Sequence, residues 1–178
     1  MFHLYLDYKI TPVATESDIL GRAYVHYKAW HETYSRIIDP KYLNEVHTYK
    51  KCEQIARRGN DNVLIAKVGE RVAGFVAFGP YRDDTLADTG EIYAIYVLSD
   101  CQGYGIGGAL MKAAFDRLTD YSKIALWVLE RNENAIQVYE HCGFRPDGVS
   151  QEILLGTSQT EIRMILDRQS VPLSGQHR

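Results

Sequence analysis

The 178-residue sequence predicts one mixed α/β domain. Three observations carry that expectation: short runs rich in β-branched residues, helical periodicity between them, and a glycine-rich turn joining a strand to a helix. The length suits a single hydrophobic core, and neither an internal repeat nor a low-complexity linker divides it. The domain is expected over residues 1–168, with the polar end 169–178 (QSVPLSGQHR) disordered because it has little to bury.

Alternation in LYLDYKITPV predicts an opening strand with Thr11-Pro12 near its end. TESDILGRAYVHYKAWHETYSRII follows with helical spacing, placing Ile19, Ala23, His26, Tyr27 and Trp30 near one face, and a Thr or Ser ahead of Asp18 caps it. Asp39-Pro40 breaks that pattern, and KYLNEVHTYKKCEQIARRG reads as a second helix stopped by Gly59. NVLIAKVGERVAGFVAFG reads as a valine-rich hairpin joined at Gly69-Glu70. A polar loop, PYRDDTLADTG, leads into the strand EIYAIYVL. After the glycine turn come a helix (IGGALMKAAFDRLTD), a buried-looking strand (KIALWVL), a polar break (ERNEN) and a short helix (NAIQVYEHC) ended by Gly143. Two closing strands are expected near Phe144–Leu155 and Glu161–Asp167.

Composition excludes several functions. A formal charge of -3 gives no electrostatic case for a nucleic-acid partner. No apolar run approaches the roughly 20 residues that span a bilayer, and the start MFHLYLDYKI does not read as a signal peptide. Cys52, Cys101 and Cys142 are odd in number and in no metal-binding pattern, which fits a reducing compartment, expected to be the cytoplasm. His26 and His31 are five apart, off the helical face spacing, so no metal is expected.

The chemistry centres on VLSDCQGYGIGGALM, where four glycines fall between Gly103 and Gly108 just ahead of a helix. A strand, a bare-backbone turn and a helix N-terminus together make an anion site: unpaired N–H groups point outward and the helix dipole adds partial positive charge. Gly103, Gly105 and Gly108 formally satisfy the dinucleotide pattern G-x-G-x-x-G, but Ser99 to Gln102 intervene after the strand, and no Lys-Ser/Thr pair closes a nucleotide P-loop.

Read as Gln102-x-x-Gly105-x-Gly107, the turn resembles the acetyl-CoA signature of the GNAT superfamily of N-acetyltransferases. NENAIQVYEHCGF, from Asn132 to Phe144, is similar to that family's second motif, and the element order agrees, so the resemblance covers roughly residues 8–168. It is nearest to small bacterial members, including those acting on polyamines. It implies a mostly antiparallel sheet of about seven strands with four helices and splayed central strands.

The resemblance also implies roles. Acetyl-CoA is the donor cosubstrate. Its pantetheine would pair with Ile95, Tyr96 and Val97, and its diphosphate would rest on the amides from Gln102 through Gly103, Tyr104, Gly105, Ile106 and Gly107 to Gly108. Asn132 would contact the pantetheine or position its helix, and Tyr139 would protonate the leaving thiolate. An amide on the parted strand, that of Val97, would meet the developing oxyanion. Glu91, eleven residues before Gln102, matches the spacing of a glutamate base; period-two alternation would put Glu91, Tyr93 and Ile95 on one face. A solvated strand-end glutamate, or a base acting through water from Tyr93 or a histidine, is the alternative.

Trp30 and Tyr34, one helical turn apart, are candidates for the acceptor wall together with Tyr93, against core packing for the aromatics. The acceptor is expected to be a small-molecule or peptide amine; Asp83, Asp84 and Asp88 would favour a cationic one or merely solvate their loop. Homodimers are frequent in the superfamily and are compatible with this reading. A non-catalytic acyl-CoA-binding module and a dinucleotide oxidoreductase stand as the alternative functions.

Overall fold

In the computed structural model, which describes residues 6–169, the chain runs β1 (Lys9–Pro12), α1 (Glu16–Tyr34), α2 (Pro40–Glu45), α3 (Tyr49–Arg58), β2 (Val63–Val68), β3 (Arg71–Pro80) and β4 (Thr89–Val97). A 3-10 turn at Ser99–Cys101 then leads to α4 (Ile106–Phe115), β5 (Lys123–Leu129), α5 (Glu133–His141), β6 (Arg145–Leu155) and β7 (Thr157–Asp167). One seven-stranded open sheet has the order β1-β2-β3-β4-β5-β7-β6. All neighbours are antiparallel except β4 and β5, which lie parallel because α4 carries the chain back between them. This is the single-domain, mostly antiparallel α/β architecture expected. None of the helices among the described residues is long and apolar enough to cross a membrane.

Four helices were expected and five form, four of them long. The segment read as one helix from Lys41 to Gly59 divides at Val46–Thr48. Its halves have separate caps: the Asp39 carboxylate accepts from the Lys41 amide at 2.8 Å with Pro40 at the first position, and the Thr48 hydroxyl accepts from the Lys51 amide at 3.3 Å. α4 stops at Phe115, short of the expected Asp120, and β7 starts at Thr157, four residues before the expected Glu161. The expected tail from Ser170 onward, and Leu4 and Tyr5 of the opening strand, lie outside the described residues.

Strand alternation divides the core between two faces. Leu64, Val76, Phe78 and Ile92 pack with Ile106, Leu110 and Met111 of α4. Ile65, Val63, Phe75 and Val72 pack with Val25 of α1 on the opposite face. Fully buried side chains such as Phe75, Ile65 and Leu110 each contribute about 2 kcal/mol of apolar burial. α1 sits so close to β3 that a Cβ at Gly21 would lie 2.5 Å from Val72 Cγ2. The same helix starts with a capping box: Thr15 Oγ1 accepts from the Asp18 amide, and Asp18 Oδ2 accepts from the Thr15 amide, both at 3.1 Å.

Candidate active site

The site begins as a defect in the sheet. β3 and β4 pair Phe78 with Ile92 and then Ala77 with Ala94, leaving Tyr93 as an extra residue. Such a bulge bends its strand and resets which side chains face which way. Beyond it, β4 leaves β5: the parallel ladder runs from Thr89–Lys123 to Ile92–Leu126 and stops, although the strands continue to Val97 and Leu129. The bulge also corrects one expectation. Glu91 shares a face with Ala94 and Tyr96, while Ile95 and Val97 join Ile92 on the α4 side, so Glu91, Tyr93 and Ile95 do not line one face. The Tyr93 hydroxyl donates to the Pro80 carbonyl.

Where the strands part, a cleft of about 930 Å³ opens. Ile95, Tyr96 and Val97 line it from β4, with Gln102, Gly103, Gly107 and Gly108 at one end. Gly103 and Gly105 have φ of +81° and +84°, values that side-chain-bearing residues rarely adopt. They turn the chain so that α4 begins at Ile106, with Gly105 as an N-cap that offers no side-chain hydrogen bond. The Ala109 amide is the first to find a helical carbonyl, that of Gly105 at 3.0 Å, which leaves the amides of Ile106, Gly107 and Gly108 without intrahelical acceptors. A Cβ at Gly108 would meet nothing within 4 Å, so the backbone there faces open space. The Gln102 side-chain amide donates to the Val97 carbonyl at 3.0 Å, tying the turn to the end of β4. Ile106 offers only its main chain, its side chain being core, and Tyr104 does not line the cleft.

Much of the remaining lining is aromatic. Trp30, Tyr34, Tyr96, Asn132 and Tyr139 all reach the cleft. Trp30 Nε1 donates to the Tyr96 hydroxyl at 2.9 Å, and burial raises the pKa of the neighbouring Tyr34 phenol. Asn132 caps α5 by accepting from the Ala135 amide at 3.3 Å, which fixes the helix that carries Tyr139. Burial, then the neighbouring Tyr34 and Cys142, push the Tyr139 phenol above its ordinary pKa, keeping it protonated. Cys101 is buried and its thiol is raised by desolvation, so it is a packing residue.

Glu91 is not where the sequence suggested. Its carboxylate is fully buried, does not line the cleft, and accepts from Arg82 Nε at 2.8 Å, Nη2 and the backbone amide at 3.0 Å. With both oxygens occupied it orients Arg82, whose guanidinium borders the cleft. A carboxylate that the sequence reading passed over does enter the cleft: Glu161 on β7, held by Gln151 Nε2 at 2.9 Å and in no ion pair among the described residues. A signal was present, since Glu161 and Arg163 are two charges on one face of an interior strand.

Comparison with known proteins matches this geometry to a family. Residues 24–144 match the family model described as the acetyltransferase (GNAT) family. The chain belongs to that family. Among relatives of this GNAT acetyltransferase, the uncharacterised N-acetyltransferase YuaI of Bacillus subtilis is 34% identical over 139 residues, spanning 76% of this chain and 78% of that protein. Among solved structures, the PaiA N-acetyltransferase of Thermoplasma acidophilum in complex with coenzyme A superposes with a TM-score of 0.68 at 18% identity, over 90% of this chain and 99% of that one. YncA of Salmonella typhimurium with its cofactor acetyl-CoA gives 0.67 at 16% identity, over 96% and 99%. The structural likenesses are likenesses of fold.

Proposed function

We propose that this acetyltransferase moves the acetyl group of acetyl-CoA to a primary amine by direct attack within a ternary complex. One observation carries the reading: the parted end of β4, the uncapped start of α4 and the Tyr139 phenol border a single cleft. In it the amides of Ile106 to Gly108 bind the diphosphate, and the free length of β4 from Ile95 to Val97 receives the pantetheine. Amine attack on the thioester carbonyl forms the C–N bond as the C–S bond breaks; the Val97 amide faces the oxyanion and Tyr139 gives its proton to the departing sulfur. Much of the acceleration comes from holding two substrates together, and no covalent enzyme intermediate is needed.

The acceptor enters at the other end of the cleft, against Trp30, Tyr34, Ile153 and Leu155. Glu161 lines the cleft in no ion pair among the described residues, so an ammonium group approaching it finds a counter-charge and, directly or through water, a base. The decisive experiment is a free-thiol release screen with acetyl-CoA against polyamines, lysine peptides, peptide N-termini and amino acids. Turnover of a cationic amine, with a raised acceptor KM in Glu161→Gln, is the expected outcome. Coenzyme A binding with no thiol released by any amine would instead make the chain a silent acyl-CoA-binding module.

A further inference from the structure

Behind the aromatic wall, α1 meets α3 around a second cluster that the transfer chemistry does not use. His26 and His31 come from α1, His47 from the link between α2 and α3, and Cys52 from α3. Ligand atoms of His26, His47 and Cys52 all lie within 4.8 Å of one another. Cys52 is completely buried and His47 nearly so. We propose that His26, His47 and Cys52 bind a Zn2+ ion that clamps α1 to α3.

Ligand chemistry and spacing support it. Two imidazoles and a thiol with no carboxylate among them select a borderline ion such as Zn2+ over Mg2+ or Ca2+. A nitrogen and a sulfur sharing a tetrahedral Zn2+ stand about 3.5 Å apart, given Zn–N near 2.05 Å and Zn–S near 2.3 Å. His47 Nε2 and Cys52 Sγ are separated by 3.4 Å.

Metal-free, the cluster is held by long contacts. His47 Nε2 is also 3.4 Å from the His26 carbonyl oxygen. If that nitrogen carries a proton, one hydrogen is shared between two long contacts; if it does not, it accepts from the Cys52 thiol, a pairing that a Zn2+ ion would replace with two metal–ligand bonds. Independently, His31 Nε2 is buried without a hydrogen-bond partner, on a ring 6.2 Å from that of His47. A water completing the tetrahedron would supply the partner that nitrogen lacks.

The rings are already held. Trp30 stacks on His47 at 4.1 Å and Tyr96 stacks on His26 at 5.7 Å, the outer contacts that fix a ligand's orientation. Both aromatics line the cleft, so the ion would stiffen the wall the acceptor meets. Binding is balanced: one Zn2+ enters and Cys52 loses its thiol proton to solvent.

The test needs no activity measurement. The full chain, stripped of metal, is titrated with Zn2+ against a chromophoric chelator and separately with Co2+. Expected are one Zn2+ per chain, a thiolate-to-Co2+ charge-transfer band that disappears in Cys52→Ser, and a Tm rise of about 5–10 °C at metal 100-fold above Kd. Circular dichroism checks that the variant is folded, and the wild-type titration stands even if it is not. Substoichiometric Zn2+ binding by the wild type, or a Co2+ band that survives Cys52→Ser, would overturn the proposal.

Discussion

Glu91 and Arg82 immobilise one another: a carboxylate with no exposed surface accepts from the side chain and the main-chain amide of a single arginine. Arg82→Met leaves that charge buried with only the amide for company, and is expected to cost about 3 kcal/mol in urea unfolding. Adding Glu91→Met should recover most of it, because the orphan charge is then gone. If the double variant folds and still releases thiol, Glu91 is a positioning residue. Complete loss of turnover in that folded protein would return it to the role of base.

Tyr139 is expected to act as an acid well into alkaline solution. Burial, Tyr34 and Cys142 raise its pKa, so the phenol stays protonated through the pH range where an unperturbed tyrosine would ionise. Tyr139→Phe should lower kcat about 100-fold with the acetyl-CoA KM little changed. In the wild type, kcat should hold its plateau to about pH 10. An alkaline limb with an apparent pKa near 8, absent from Tyr139→Phe, would contradict this.

Gly108 separates folding from ligand binding. It sits inside α4, where alanine is favoured over glycine by about 1 kcal/mol, and its missing Cβ points into open cleft. Gly108→Ala should therefore raise Tm by about 2–4 °C while weakening acetyl-CoA. Gly108→Glu should abolish binding, since the carboxylate would stand where the diphosphate rests. Calorimetry showing undiminished affinity in Gly108→Glu would move the diphosphate elsewhere.

Acid should unpick the start of α1. Burial alone would raise the Asp18 pKa, but Lys67, the amides of Ala14 and Thr15 and the Thr15 hydroxyl outweigh it, so the carboxyl is held below its usual value. A carboxylate lowered on folding stabilises fully above its unfolded pKa, and that stabilisation is lost as pH falls through the folded one. Asp18→Asn should cost about 1 kcal/mol near neutrality, and the gap to wild type should close towards pH 3. Parallel melting curves at every pH would exclude the linkage.

What the sequence disclosed was what local physics decides. α1 is announced by its cap and its spacing, the β2–β3 hairpin by valine-rich runs joined at Gly69-Glu70, and the anion turn by glycines that two positive φ angles require. The break between α2 and α3 rests on Thr48, whose hydroxyl caps α3 in the middle of the segment that reads as one helix. The Tyr93 bulge belongs to the pairing of two strands and has no mark on β4 alone, which is why alternation misplaced Glu91. Glu161 in the cleft, and His47 beside Cys52 and His26, are juxtapositions made by tertiary packing, which spacing along the chain does not encode.

The short ladder between β4 and β5 has a mechanical consequence. Among the described residues, backbone pairing between the half-sheet β1–β4 and the half-sheet β5–β7–β6 is confined to Thr89–Ile92, so the two panels share only a brief ladder. A thioester arm laid along the open length would act as a rivet. Hydrogen exchange should accordingly slow across both panels' facing edges when the donor is bound, well beyond the residues it touches.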